Sequence, residues 1–516
     1  MTISLADYVE RNARLYPDLP ALTDGDRDFT WRAYHDRCRA MAGALNGLGM
    51  TKGQRVAYLG LNTAEGHMLF MAAPLAGLVV VPMNYRLSAR ELADCLKDCD
   101  ASLLIADPSF LDLAVEALAS PETSARLIVT GDAPLPDGAL RLEDLLAQDL
   151  APTEARSRDD DTLIIYYSSG TTGKAKGVEL THWNVYSNSM GTITPYDFRP
   201  FERQLLVGPM FHAAAGSRAY TNLILPGHLL LMNKFEPRAM LSLIQDRKVQ
   251  STQLVPTMIQ SILDLPDFDS FDLSSLRQIS WGASPATEEL LQRVVRAFPH
   301  VALNHAYGMT EASPVLTLLG PDYHRADFRD HGKLGSVGRV LSHIDLKICD
   351  EAGKELPRGQ AGEIVARGPT IMKGYLGQPE QTAAVLKDGW YHTGDAGYLD
   401  ADNCLWISGR IKDMIISGGE NVYPAEVENV LSLHPAVSQV AVIGVPHARW
   451  GEAVHAVIIR ATGDTTTEAE LIDYTRANLA HYKCPRGVTF RTEPMPMSGA
   501  NKILKRDLRA EYWPAT

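Results

Sequence analysis

Between Thr30 and Ala106 the chain alternates helix and strand signals with little spare length, and this rhythm restricts the fold more than any other feature. Thr30 is a good N-cap for a helix from Trp31 to about Leu48, closed by Gly49. A strand signal follows at Arg55–Leu59, then a helix near Ala64–Ala76 and a strand at Leu78–Pro82. A helix at Ser88–Cys99 and a strand at Ser102–Ala106 complete the run. Strands joined through helices run parallel with both faces covered, so a doubly wound α/β sheet is expected. The polar run Gln148–Asp161, with Pro152 inside and three acids at its end, reads as a subdomain junction.

A second α/β stretch runs from Thr162 to about Gly320, with strand signals at Leu205–Gly208, Leu229–Met232 and Leu276–Trp281. From Gly335 to Ser408 the segments shorten and glycine becomes frequent, which predicts a β-rich unit. After Asp413 the pattern is compact α+β. Pro424 opens a helix through Leu431, strands follow near Val437–Ile443 and Ala453–Ile459, and a capping box at Thr467 and Glu470 starts another helix.

The 516 residues suit about three such units. With 49 Lys plus Arg against 62 Asp plus Glu, the net charge is 49 − 62 = −13, which excludes a dedicated nucleic-acid binder or a protein held on anionic lipid by charge. The longest apolar stretch, Met68–Met83, is interrupted by Pro74 and Gly77 and is shorter than the ~18–20 residues of a membrane span. No secretory signal opens the chain. Six scattered cysteines, of which only Cys95 and Cys99 are close, predict no zinc site and a reducing, cytoplasmic setting.

The strongest local signal is Tyr166-Tyr-Ser168-Ser169-Gly170-Thr171-Thr172-Gly173-Lys174-Ala-Lys176-Gly177. A buried-strand run, Leu163–Tyr167, feeds a loop of small hydroxyls, glycines and lysines. Glycine lets backbone N–H groups approach an anion, Ser and Thr add donors, and Lys adds charge. Chemically this is a phosphate-gripping loop. It is not a Walker A loop, since its glycines are too close, Ala175 follows Lys174, and strand residues come next.

The run Tyr166–His182 resembles the signature loop of the adenylate-forming superfamily, which contains acyl-CoA synthetases, peptide-synthetase adenylation domains and luciferases. The likeness extends along the chain. It includes Tyr307-Gly308-Met309-Thr310-Glu311, Tyr391-His-Thr-Gly-Asp395, Gly409-Arg410-Ile-Lys412-Asp413, Ser417–Pro424, and Pro496–Arg506 around Lys502. The resemblance implies two half-reactions. A carboxylate attacks the α-phosphate of ATP, releasing diphosphate and leaving an acyl-adenylate; a thiol, usually that of CoA, then displaces AMP. It also implies a large N-terminal domain, residues 1–411, of two doubly wound subdomains (about 1–155 and 156–330) and a β-rich one (331–411). A small mobile α+β lid, residues 412–516, would turn about Lys412.

By the same resemblance, Ser168 to Lys174 hold the β- and γ-phosphates, Thr310 the α-phosphate, and Glu311 with Thr171 the Mg²⁺. Tyr307 would stack on adenine beside Gly282, Ala283 and Ser284. Asp395 would accept the ribose hydroxyls, with Arg410 close to ribose or phosphate. Lys502 would bridge carboxylate and α-phosphate, a task suited to a compact ammonium; the family's usual Gly-Lys is Asn501-Lys502 here, and Lys505 is the neighbouring alternative. After domain rotation the Ser417–Gly418–Gly419–Glu420 loop would replace Lys502 at the site. CoA contacts would fall to Trp450, Tyr482 and Arg486. His212 would gate an acyl pocket formed by Phe211, Ala213, Ala214, Gly216, Trp281, Gly282, His305 and Ala306.

An AMP-forming acyl-CoA synthetase fits best. No acid lies near His212 to pair with an amino-acid ammonium, while a free-standing loader of a carrier protein stays open. Retention of Glu311, Asp395, Arg410 and Lys502 argues against a regulatory protein with a dead site. The small residues around His212 leave room for a medium- or long-chain fatty acid, with an aryl acid such as a hydroxycinnamate as the alternative. A homodimer is a further possibility.

Overall fold

The computed structural model describes residues 3–153, 155–168, 175–282, 288–324, 332–417, 420–497 and 503–513. Local chemistry sets many of its elements. The Thr30 hydroxyl accepts from Ala33 N at the start of the helix Trp31–Gly47, and reciprocal capping boxes start the helices Ala89–Asp98 (Ser88/Glu91) and Glu468–Asn478 (Thr467/Glu470). Pro424 opens the helix Pro424–Ser432, where its missing N–H costs nothing.

Among the described residues the strands form four sheets. The first has the order Gly374–Tyr375, Lys176–Thr181, Thr162–Ser168, Val79–Met83, Arg55–Leu59, Ala101–Ala106, Arg126–Val129, Leu140–Arg141. Its central strands are parallel, as the alternation of helix and strand requires. The second runs Arg339–Val340, Val315–Leu319, Ala302–Gly308, Gln278–Gly282, Ser251–Leu254, Arg203–Leu206, His228–Leu231, Pro20–Asp24, Arg27–Thr30. A smaller antiparallel sheet over residues 345–410 and a mixed one over 415–490 follow, matching the expected β-rich and α+β units.

The expected boundary at residues 155/156 is not a boundary in space. Thr162–Ser168 pairs with Val79–Met83, through Val80 and Ile164, so it belongs to the first sheet. In exchange, Pro20–Asp24 lies parallel to His228–Leu231 in the second. The reason lies in the connections: a strand joins whichever edge its short links let it reach, and sequence proximity alone does not choose the sheet. One apolar cluster accordingly contains Leu22, Val80, Ile164, Tyr220 and Leu229 together. No helix among the described residues is long and apolar enough to cross a membrane.

Candidate active site

The phosphate-gripping sequence is flanked by a pair of antiparallel strands. Thr162–Ser168 and Lys176–Thr181 pair out to Ser168 opposite Lys176. Ser169 to Lys174 lie outside the described residues, so the hairpin stem alone is located. Thr181 closes the stem with a capping box to Asn184 that starts the helix His182–Ile193. Two asparagines on that helix lock the surroundings. Asn184 donates to Pro369 O and Ile371 O, both at 2.8 Å, and Asn188 donates to Ala312 O at 3.2 Å and Val315 O at 2.9 Å. The hairpin and the turn carrying Glu311 are therefore one hydrogen-bonded unit.

Thr310 and Glu311 sit on a 3-10 turn, Thr310–Ala312, just past the strand Ala302–Gly308. Gly308 is obligatory there, because a Cβ would lie 1.8 Å from Pro314 O. The Glu311 main chain accepts from Met372 N at 2.8 Å, and its Oε1 accepts the Tyr375 hydroxyl at 3.0 Å. Tyr375 is brought in by its strand, which pairs Tyr375 with Val178 of the hairpin, and Lys176 Nζ stands 4.8 Å from the Tyr375 ring centre. Burial, then the Glu311 charge, pushes the Tyr375 phenol well above its usual pKa, so it stays a donor.

Asp395 is 5% exposed and stands opposite Arg410 across two antiparallel strands. Its Oδ1 meets Arg410 Nε at 2.6 Å and its Oδ2 accepts the Tyr307 hydroxyl at 2.7 Å. Burial and the Asp395 charge raise the Tyr307 pKa. Burial and the Glu311 charge likewise raise that of Tyr391. Burial alone would lower Arg410, but Asp395 and the surrounding phenols and Glu311 outweigh it and hold the guanidinium charged. Tyr307, Glu311, Tyr391, Asp395 and Arg410 thus form one coupled group, and Tyr375 and Tyr391, which no motif singled out as ligands, complete it.

His212 precedes the helix Ala213–Ile224 in extended conformation. Its ring lies 4.4 Å from that of Phe211, which meets Tyr85 edge-on at 5.1 Å; Tyr85 in turn stacks on Phe110. Asn62 fixes this corner, donating to Gly208 O and Met232 O and accepting from Met210 N. Gly282 and Ala306 are register partners on adjacent strands. Trp281 and His305 are partners too, but successive strand residues point to opposite faces. The helix Ala213–Ile224 covers the Ser280 side, which Gly282 and Ala306 share. Trp281 therefore packs on the other face with Leu290, Leu291 and Val294, stacked on His305, and neither ring lines the expected acyl pocket. Ala283 and Ser284 lie outside the described residues.

Lys412 is exposed in a 3-10 turn, Ile411–Asp413, between the third and fourth sheets. Lys505 is committed to Glu428 at 2.7 Å, while Lys502, Gly418 and Gly419 lie outside the described residues. Ser417 pairs with both Glu420 and Gly451, which places the end of the strand Ile415–Ser417 near Trp450. Trp450 stacks on His447 at 4.2 Å with the Arg486 guanidinium 4.6 Å from its ring centre, and Tyr482 is exposed.

Residues 9–376 match the AMP-binding enzyme family, and residues 426–502 match the AMP-binding enzyme C-terminal domain. The chain belongs to the AMP-binding enzymes. A feruloyl-CoA synthase of an Amycolatopsis species is 39% identical over 98% of this chain and 99% of that protein. The long-chain-fatty-acid–CoA ligase FadD13 of Mycobacterium tuberculosis is 34% identical over 98% and 97%. The o-succinylbenzoate CoA synthetase MenE of Bacillus subtilis, solved with its acyl-adenylate intermediate, superposes with a TM-score of 0.86 at 30% identity over 97% of both chains. This AMP-binding enzyme is an acid–thiol ligase of the acyl-CoA synthetase group.

Proposed function

We propose that this ligase activates an aryl acid, first as the acyl-adenylate and then as the CoA thioester. The observation that carries this reading is the 39% identity to a feruloyl-CoA synthase over nearly the whole of both chains. Gly216 lies on the core side of its helix, where a Cβ would be 2.0 Å from the Tyr166 hydroxyl and 2.8 Å from Met210 O. Ala213 and Ala215 are packed into the apolar core. The Phe211, His212 and Tyr85 rings, grouped at the start of that helix, would offer flat faces to a planar acid. A medium- or long-chain fatty acid is the second reading, supported by the similarity to FadD13.

Catalysis asks for positioning and charge neutralisation, since carboxylate and phosphate repel. Asp395 and Arg410 would hold the ribose end and the Ser168–Lys174 run the terminal phosphates. Glu311 suits Mg²⁺: it is oriented by Tyr375, and its Oε2 has no partner among the described residues. One carboxylate is what an ion sharing phosphate oxygens takes. Bound there, the ion would offset phosphate charge. Lys502 would neutralise the attacking carboxylate and the α-phosphate, and Lys412 would be the pivot that exchanges it for the Ser417–Glu420 turn. Trp450 and Arg486 would meet CoA.

Diphosphate release across a panel of cinnamates, benzoates and fatty acids, with and without CoA, tests the reading. Cinnamates are expected to lead, and a preference for unbranched fatty acids over every aryl acid would overturn it. Lys502→Ala should lower adenylation at least a hundredfold, about 3 kcal/mol, and largely spare thioester formation from supplied acyl-adenylate.

A further inference from the structure

Glu452 is the second residue of the strand Gly451–Arg460, and its side chain is only 17% exposed. Its two carboxylate oxygens go to different parts of the small C-terminal unit. Oε2 accepts from Ile416 N at 3.1 Å, and Oε1 accepts from Arg509 Nη2 at 2.9 Å. The space is kept open for it: a Cβ at Gly444, on the paired strand Val437–His447, would lie 2.8 Å from Oε2. Gly444 O in turn accepts from Trp513 Nε1 at 3.0 Å, and the Arg509 guanidinium carbon stands 5.2 Å from the Trp513 ring centre. A largely enclosed carboxylate with two donors aimed at it stays in one place, since bonds to a charged acceptor are the short, strong kind.

Each partner belongs to a segment next to one of the two working runs of this unit. Ile416 is in the strand Ile415–Ser417, which leads directly into Ser417–Glu420. Among the described residues, Ser417 opposite Gly451 is the only register pair that ties this strand to Gly451–Arg460. The Glu452 side chain therefore serves Ile416 N on the edge where the ladder stops. Arg509 is in the helix Lys505–Ala510. Ahead of that helix Ile503 pairs with Met497, and Leu504 N donates to Pro496 O at 2.8 Å, so the run carrying Lys502 leaves and rejoins the fold at one fixed point. Lys505 to Glu428, at 2.7 Å, and Arg509 to Glu452 hold the helix at its two ends, with Leu508 buried between them.

We propose that Glu452 is a positioning residue shared by both half-reactions. One oxygen fixes the strand that leads into Ser417–Glu420, and the other fixes the helix that follows Lys502. The two segments are thereby held at one spacing inside the lid, whichever of them is turned to the site. A lid that rotates as a body serves two reactions only if both working segments return closely to place, because small misplacements cost rate steeply. Glu452 itself touches no substrate. The inference rests on the exchange of Lys502 for Ser417–Glu420 proposed above.

The test measures the halves separately: acid-dependent diphosphate release for adenylation, and thioester formation from supplied acyl-adenylate and CoA. Glu452→Ala removes both bonds and should lower kcat for each half roughly tenfold, with KM for ATP changed less than about twofold, because the residues proposed for ATP lie on the large domain. Glu452→Gln can still accept from Ile416 N through its amide oxygen but turns a donor toward Arg509, so adenylation alone should fall. Arg509→Met should match it, and the double variant Glu452→Gln/Arg509→Met should lose no more than either single change, as one shared contact requires. Wild-type rates in Glu452→Ala would overturn the proposal. Equal loss of both halves in every variant, tracking a fall in melting temperature, would make Glu452 a purely structural residue and overturn it too. Loss of thioester formation alone in every variant would separate Arg509 from Lys502 and overturn the shared role. Lys502→Ala, which leaves Glu452 in place, tests the exchange of segments by itself. Adenylation retained there would overturn that reading and this inference with it; adenylation lost there but unchanged in Glu452→Ala would overturn this inference alone. Should Glu452→Ala fail to fold, Glu452→Gln and Arg509→Met, which keep the bond to Ile416, decide the matter.

Discussion

At the scale of single residues, the site depends on donors that hold carboxylates ready. Tyr375→Phe keeps the ring beside Val178 and removes the hydrogen bond to Glu311. A bond to a charged group is worth about 1.5–3 kcal/mol, so kcat/KM for MgATP should fall roughly tenfold or more, with the melting temperature nearly unchanged. Diphosphate release titrated with Mg²⁺ checks this; an unchanged Mg²⁺ dependence would count against the positioning role. Glu311, Asp395 and Arg410 could be singled out because each lies in a short local motif, and the fold brings these separate motifs into one neighbourhood. Trp281 and His305 were misplaced because a contiguous motif was read as one surface, whereas a strand sends alternate residues to opposite faces. Asn184 and Asn188 were invisible for another reason. Their partners come from residues 312–371, and no local pattern distinguishes a buried asparagine that bonds distant carbonyls from a surface one.

At the scale of elements, caps and strand rhythm carried over well, because they depend on neighbouring residues alone. The helix Ala213–Ile224 and the strand Thr162–Ser168 illustrate what does not. Their closest approach, Gly216 against Tyr166, is a tertiary contact. Gly216→Ala should cost about 1–3 kcal/mol by overpacking. Tyr166 has a buried hydroxyl without a partner among the described residues, so Tyr166→Phe should be near neutral and should recover part of the Gly216→Ala loss, as chemical denaturation of the double variant would reveal. His182 joins elements in a different way. Leu5 N donates to its Nδ1, so its proton is on Nε2 and goes to Ser157 Oγ. Burial pulls its pKa down to about 4, from an ordinary value near 6.5. The unfolded chain binds the proton first, so stability is fully present above pH 6.5 and declines as pH falls toward 4, by roughly 3 kcal/mol. Melting temperatures between pH 7 and 4 should show a shallower decline in His182→Gln than in the wild type.

At the scale of the molecule, the exchange of strands between the two large sheets decides what can stand alone. A fragment of residues 1–155 lacks Thr162–Ser168, the strand beside Val79–Met83, and carries Pro20–Asp24 without its sheet. It should show no sharp thermal transition by circular dichroism, whereas residues 1–411 should retain one. The α/β class and the order of its units were readable from the alternation of helix and strand. The exchange was not, because pairing across some 200 residues leaves no mark on either partner's pattern.

The same exchange has a consequence for synthesis. Pro20–Asp24 finds Arg27–Thr30 as soon as both leave the ribosome, but its other edge must wait for His228–Leu231. At roughly 5–20 residues per second, 231 − 24 = 207 further residues take about 10–40 s. For that interval the nascent chain carries an open sheet edge, making the early part of translation the stage at which a holding chaperone matters most for this enzyme.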